Sequence, residues 1–167
     1  MTTRYLCEIN SIKNYQGDIR KIILSMPKGR NLKFFAGQYL QIITPEKKFP
    51  FSIASAPIKQ KQIELHIKPT PESKDSEVIE SIINSSEVLE IEAPLGNCYI
   101  EEPPTRPLIL LAASTGITQM KSIIEFLEPH GFEQETFLYW GVISPDDLYL
   151  DDLCKTWDEK YLSLIHI

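Results

Sequence analysis

The sequence predicts an all-β unit joined to an α/β unit: an antiparallel β-barrel over residues 1–102, followed by part of a parallel-sheet domain over residues 103–167. Three observations carry this reading. The first unit holds six short segments with strand texture and one with helical spacing. Glu101-Glu102-Pro103-Pro104-Thr105-Arg106-Pro107 is polar and proline-rich, the composition of a linker. Beyond it, apolar runs and helical patterns alternate in β-α-β-α-β order, which predicts parallel strands with right-handed crossovers.

In the first segment Tyr5, Cys7 and Ile9 alternate with Leu6, Glu8 and Asn10. Ile22, Leu24 and Met26 share one face of the second. Gly37 to Thr44 is rich in β-branched and aromatic residues, and Phe49 to Ser55 is a fourth strand. Gln62 to Lys68 alternates most regularly, with Ile63, Leu65 and Ile67 on one face and Gln62, Glu64, His66 and Lys68 on the other, which predicts a half-buried strand. A helix follows, with Ser76 as its expected N-cap and Val78, Ile79, Ile82 and Ile83 at helical spacing. Val88 to Ala93 returns to strand and Pro94-Leu95-Gly96 closes it. Six strands and one short helix predict a closed or nearly closed barrel.

In the second unit Leu108 to Ala113 is apolar throughout, as in a buried parallel strand. Gly116 opens a helix with Ile117, Met120, Ile124 and Leu127 on one face. Thr136 to Val142 reads as a strand, Pro145 to Trp157 as a helix and Leu162 to Ile167 as a third strand. Three strands make half of an open doubly wound sheet, with the first strand on an edge. That predicts a truncated chain, a partner chain that completes the unit, or a compact end.

Composition narrows the function. A hydrophobic share of 43% and a charged share of 24% are those of a folded globular protein. A net charge of −6 argues against non-specific nucleic-acid binding, which needs a basic surface. Cys7, Cys98 and Cys154 are isolated and odd in number, so neither a disulfide framework nor a zinc site is expected. The start lacks the apolar stretch of a signal peptide, and the Leu108–Ala113 run is too short to span a bilayer, so a cytoplasmic protein is expected. His66, His130 and His166 have no spaced metal partner. Asp146, Asp147, Asp151 and Asp152 read as an exposed helix start, where acids are favoured, rather than a metal site.

Two segments carry chemistry. Phe49-Pro50-Phe51-Ser52-Ile53-Ala54-Ser55 presents hydroxyls among apolar residues on a strand. Leu111-Ala112-Ala113-Ser114-Thr115-Gly116-Ile117 joins a buried strand to a helix, where backbone amides and the helix dipole suit an anion such as a pyrophosphate. Between them lies Glu64-Leu65-His66-Ile67-Lys68, after them Tyr139-Trp140-Gly141, and before the third strand Phe35-Ala36-Gly37-Gln38-Tyr39. In this order and spacing the segments resemble the NAD(P)H-flavin reductases of the ferredoxin–NADP reductase superfamily, short at the C-terminus.

The resemblance implies a flavin-binding barrel followed by a partial NAD(P)-binding domain, with hydride passing from nicotinamide to flavin N5. It implies that Ser52 hydrogen-bonds the N5 region, that Phe49, Pro50, Phe51, Ile53, Ala54 and Ser55 shape the flavin pocket, and that the backbone of His66, Ile67 and Lys68 lines its other side. Ser114, Thr115, Gly116 and Ile117, with Tyr139, Trp140 and Gly141, are the expected dinucleotide contacts. The implied cofactors are a flavin (riboflavin, FMN or FAD) and NADH or NADPH. Two departures stand out. The family's arginine falls on Phe49, which cannot fork around a phosphate, so an exchangeable flavin with no strong preference for FAD is expected. The family's Gly-Gly-Thr-Gly reads Ala113-Ser114-Thr115-Gly116 here. The alternatives are a non-catalytic flavin-binding module, an inactive fragment, or an electron-transfer subunit that needs a protein partner.

Overall fold

The computed structural model describes residues 2–58, 60–160 and 162–166, with side chains up to residue 160. The first six strands are β1 (Thr3–Asn14), β2 (Arg20–Ser25), β3 (Tyr39–Ile43), β4 (Lys48–Ser52), β5 (Gln62–Ile67) and β6 (Val88–Leu95), with helix α1 (Lys74–Ser85) before the last. They form one antiparallel sheet in the order β4-β3-β6-β1-β2-β5. The sheet curls until its two edges meet. The Ala54 N–H, just past β4, donates to the Glu64 carbonyl of β5 at 2.8 Å. Ile22, Leu24, Leu40, Ile42, Ile63, Leu65, Leu89 and Ile91 fill the interior, and α1 plugs one end with Ile79 and Ile83.

The second sheet is parallel, in the order β7 (Leu108–Ala113), β8 (Thr136–Gly141), β9 (Leu162–His166). Helix α2 (Ile117–Leu127) crosses from β7 to β8 and α3 (Asp151–Asp158) from β8 to β9. The third strand therefore forms, though Ile167 and the His166 side chain lie outside the described residues. Strand β7 lies on an edge, with Ile109 and Leu111 about two-thirds exposed (66% and 68%) on its outer face.

Several elements differ from expectation for physical reasons. The cap of α1 is Ser73, not Ser76: the Ser73 hydroxyl accepts from the Ser76 N–H, and the Ser76 hydroxyl instead accepts from the Thr70 N–H at 2.8 Å. Strand β4 stops at Ser52, because the next two N–H groups turn to Gln38 and Glu64. The expected helix from Pro145 is a single 3-10 turn (Pro145–Asp147), after which the chain leaves helical geometry to bury Tyr149 before α3 begins. Asp147 consequently lies outside α3, buried and ion-paired to Lys68, instead of at an exposed helix start. Strand β5 is buried on both faces rather than one, since Glu64 and His66 are covered by α2 and by Tyr149. For the same reason α2 buries Lys121 and Ser122 as well as its apolar stripe: it packs on its own sheet and on the barrel.

Candidate functional site

A cleft of about 400 Å³ opens where the barrel meets the N-terminal end of α2. Strand β4 supplies Pro50, Phe51 and Ser52, the loop after β6 supplies Gly96 and Cys98, and α2 supplies Gln119, three residues on from Gly116. Ser52 and Phe51 are half-buried and Pro50 is exposed, so a hydroxyl stands beside an apolar wall open to a ligand. Gln119 spans the gap, its amide donating to the Cys98 carbonyl at 3.0 Å.

The cleft owes its shape to backbone packed too closely for side chains. Gly37 has φ +103°, and a Cβ there would lie 2.8 Å from the Cys98 carbonyl oxygen. Gly96 has φ +93°, and a Cβ would strike the Tyr39 ring at 2.8 Å. Gln38, buried between them, ties three segments together. Its side-chain oxygen accepts from Phe35 N–H (2.8 Å), its amide donates to the Gly96 carbonyl (3.1 Å), and its own carbonyl takes the N–H of Ile53 (3.1 Å), next to Ser52. Gln38 and Gln119 are the residues sequence reasoning missed here. The only available signal was the conjunction of Phe35-Ala36-Gly37-Gln38-Tyr39 with Pro94-Leu95-Gly96, and nothing in either string says that they touch.

Other residues of the first string pack beneath the cleft. Phe49 is buried in the barrel core with the Lys47 ammonium 5.5 Å from its ring centroid. Ile53 and Ala54 are fully buried. Ser55 turns its hydroxyl to the Glu64 N–H (3.2 Å) and its carbonyl to the Ser122 hydroxyl of α2 (2.8 Å). Ile67 and Lys68 line a neighbouring groove of about 270 Å³ against α1, and that groove shares Pro50 and Phe51 with the cleft.

His66 faces elsewhere. Its ring sits in a buried polar junction between β5, α2 and the segment before α3. There Nε2 lies 2.7 Å from Glu64 and Nδ1 lies 2.8 Å from the Tyr149 hydroxyl. Lys121 bridges Glu64 (3.2 Å) and Glu125 (2.7 Å), and Lys21 reaches Glu64 from β2 at 2.8 Å. Burial alone would raise the Glu64 carboxyl. The His66 hydrogen bond and the Lys121 and Lys21 charges outweigh it and hold the group well below the usual carboxylate range. Burial pushes His66 down, keeping it neutral, so Nε2–H donates to Glu64 while Nδ1 accepts from the Tyr149 O–H. Burial also raises the Tyr149 hydroxyl above its ordinary value, consistent with that donor role.

The β7–α2 turn is half-buried over Ser114, Thr115 and Gly116 and forms one 3-10 turn, with Ile117 buried beneath it. Ser114 holds φ +48°, the left-handed region that favours glycine, and its carbonyl accepts from the Trp140 indole N–H at 2.9 Å. Trp140 is completely buried, so it supports the turn from below, while Tyr139 and Gly141 stay half-buried at the end of β8. Among the described residues no cluster of His, Cys, Asp and Glu could hold a metal ion, and no helix is long and apolar enough to cross a membrane.

Residues 6–99 match the family model of an oxidoreductase FAD-binding domain. The chain is 34% identical over 164 residues to an NAD(P)H-flavin reductase of Vibrio harveyi, covering 95% of this chain and 68% of the relative. It is 32% identical over 168 residues to the reductase component 1 of a terephthalate 1,2-dioxygenase from a Comamonas species, covering 97% of this chain and 50% of the relative. The chain thus spans about half to two-thirds of the length of these relatives. Among solved structures, an Amycolatopsis cytochrome P450 reductase superposes with a TM-score of 0.85 over 99% of this chain and 51% of its own, at 21% identity, a likeness of fold alone.

Proposed function

Because this chain belongs to the oxidoreductase FAD-binding domain family, we propose that it is an NAD(P)H-dependent flavin reductase, with the flavin ring seated against Ser52 in the cleft between β4 and α2. The observation that carries the reading is that Ser52 and the N-terminal end of α2 border one cleft, although they are far apart in sequence. We take residues 1–102 as the flavin barrel and residues 103–167 as part of the NAD(P)-binding domain.

When bound, the flavin accepts a hydride at N5 from the nicotinamide ring. The chain's own task is to hold two rings in register, since positioning alone supplies much of such a rate enhancement. The Ser52 hydroxyl both donates and accepts, so it can serve the N5 edge before and after transfer. Pro50 and Phe51 give the ring an apolar wall that excludes water. Gly37 and Gly96 let the segments around the cleft pack closely on one another, and Gln38 ties those segments together. Thr115 and Gly116 offer backbone amides at the start of α2 to the dinucleotide phosphates. Trp140, beneath them, supports the turn through its indole N–H.

A second reading is favoured by the name of the Comamonas relative, a reductase component of a dioxygenase. On it, electrons leave the flavin for a protein partner instead of a freely diffusing acceptor, and a partner chain also completes the second sheet. Three isolated thiols, two of them buried, suit a reducing, cytoplasmic setting.

The test is steady-state oxidation of NADH and NADPH by the 167-residue chain with riboflavin, FMN or FAD as acceptor. Ser52→Ala is expected to lower turnover by roughly ten- to a thousand-fold, as loss of one aimed hydrogen-bonding group does, with an unchanged urea midpoint. Full turnover in that variant would remove Ser52 from the site.

A further inference from the structure

We propose that the Gln119 side chain pairs with the carboxamide of the nicotinamide ring, so that the chain selects pyridine nucleotides that carry a primary amide. The proposal rests on the reading of Ser52 as the flavin site. It adds a specificity-determining residue on the opposite unit, in the first turn of α2.

The amide group of Gln119 is anchored at one end only. Its Nε2 donates to the Cys98 carbonyl at 3.0 Å. That bond fixes which way the group faces, because a carbonyl only accepts and the Gln119 oxygen has no proton to give it. The Cys98 carbonyl is itself held in place: Gly37 lies so near that a Cβ there would come within 2.8 Å of it. One N–H of Gln119 is used in this bond. The second N–H and Oε1 have no partner among the described residues, and the residue is half-buried on the cleft. The other side-chain amide lining the cleft, Asn97, is exposed and has no such anchor. Gln119 therefore presents one free donor and one free acceptor, and a primary amide answers both, giving N–H to Oε1 and C=O to the remaining N–H.

The nicotinamide carboxamide is the amide that comes to this place. Dinucleotide phosphates at Thr115 and Gly116 and a hydride acceptor at Ser52 set the two ends between which the nicotinamide lies. Gln119 is three residues past Gly116 and lines the same cleft as Ser52. The carboxamide hangs on ring carbon C3, next to the C4 that gives up the hydride, so it rests beside the transfer centre. Because Cys98 already holds the Gln119 amide, little side-chain freedom is lost when the pair forms. A site built to hydrogen-bond a ligand N–H rejects an analogue without it, since the site's acceptor is then left unpaired.

The 3-acetylpyridine analogue of the dinucleotide tests this, because a methyl group there replaces the carboxamide NH2. Calorimetric titration of the riboflavin-saturated full chain with the two oxidised nucleotides reads binding without turnover, and oxidation of the two reduced forms reads kcat/KM. Gln119→Ala is expected to shrink the preference for the amide nucleotide about three- to ten-fold in both measurements, the size of one hydrogen bond. The urea midpoint and the riboflavin Kd are expected to stay at their parent values, since the bond to Cys98 is exposed. An equal loss with both nucleotides, which a merely structural tie to Cys98 would give, would overturn the proposal, and so would no loss with either. Weaker riboflavin binding with the amide preference intact would place Gln119 at the flavin edge and overturn it too. Oxidation of neither reduced nucleotide by the parent chain would overturn the flavin-reductase reading itself, and the role of Gln119 with it.

Discussion

Ser114 and Gly116 stand two residues apart in one turn and make opposite demands on it. Ser114 holds φ +48°, a conformation that costs a side-chain-bearing residue about 1–2 kcal/mol, and the Trp140 indole on its carbonyl helps fix it there. Gly116 has ordinary helical geometry, and a Cβ built on it would meet open space. The fold therefore does not require glycine at 116, and a closely approaching ligand is the remaining reason for one. Gly116→Ala is expected to leave stability unchanged or raise it by about 0.4–1 kcal/mol, because the unfolded chain loses freedom, and to weaken NADH binding several-fold. Urea unfolding and NADH titration read the two effects separately; NADH affinity equal to that of the parent chain would take Gly116 out of the dinucleotide site. At this scale the Phe49–Ser55 and Ser114–Ile117 strings stand out in the sequence by a rare combination of small, hydroxyl and apolar residues; of the first string the structure brings Pro50, Phe51 and Ser52 to the cleft and buries Phe49, Ile53 and Ala54 beneath it. The role of Gln38 was not legible, since its bonds to Phe35, Gly96 and Ile53 join segments whose proximity only the closed barrel creates.

Between elements, the polar junction of β5, α2 and Tyr149 joins barrel to sheet. Glu64, His66 and Lys121 are 8%, 4% and 6% exposed, so their bonds are made at low dielectric and their loss leaves charges stranded. The pH dependence follows from two depressed groups. His66 stays neutral in the fold, whereas in the unfolded chain it takes up a proton below about pH 6.5. Glu64 stays ionised in the fold, whereas unfolded it protonates below about pH 4.3. In both cases the unfolded chain binds more protons, so stability rises with pH and is lost on acidification, first through His66 and then through Glu64. Urea midpoints at about pH 8 and about pH 5.5 should therefore differ, the acid value being lower; equal midpoints would show that His66 protonates as easily folded as unfolded. Glu64→Gln is expected to lower the urea midpoint at neutral pH, because Lys21 loses its carboxylate and the buried Lys121 keeps only Glu125. The sequence showed β5 as a strand with one polar face. It could not show that the polar face is buried, because the groups answering it, Lys121 and Tyr149, lie on elements read as amphipathic helices with a solvent side. The same burial of Tyr149 breaks the expected helix after Pro145.

At the scale of the molecule, a closed barrel and a parallel sheet bring Ser52 and the start of α2 to one cleft, and hydride transfer between two stacked rings needs just such a convergence. The order of strands and the linker at 101–107 were legible because alternation, unbroken apolar runs and prolines report local structure directly. The convergence was legible only through family resemblance, since no local pattern encodes which ends of two units face each other. The most direct test of the account is a single anaerobic turnover. The chain is saturated with riboflavin, mixed with one equivalent of NADH or NADPH, and followed at the flavin and nicotinamide bands together. Both bands are expected to be lost in step, at a rate far above the protein-free control and greatly slowed by Ser52→Ala. A nicotinamide band that persists at the protein-free rate while riboflavin is demonstrably bound would contradict it.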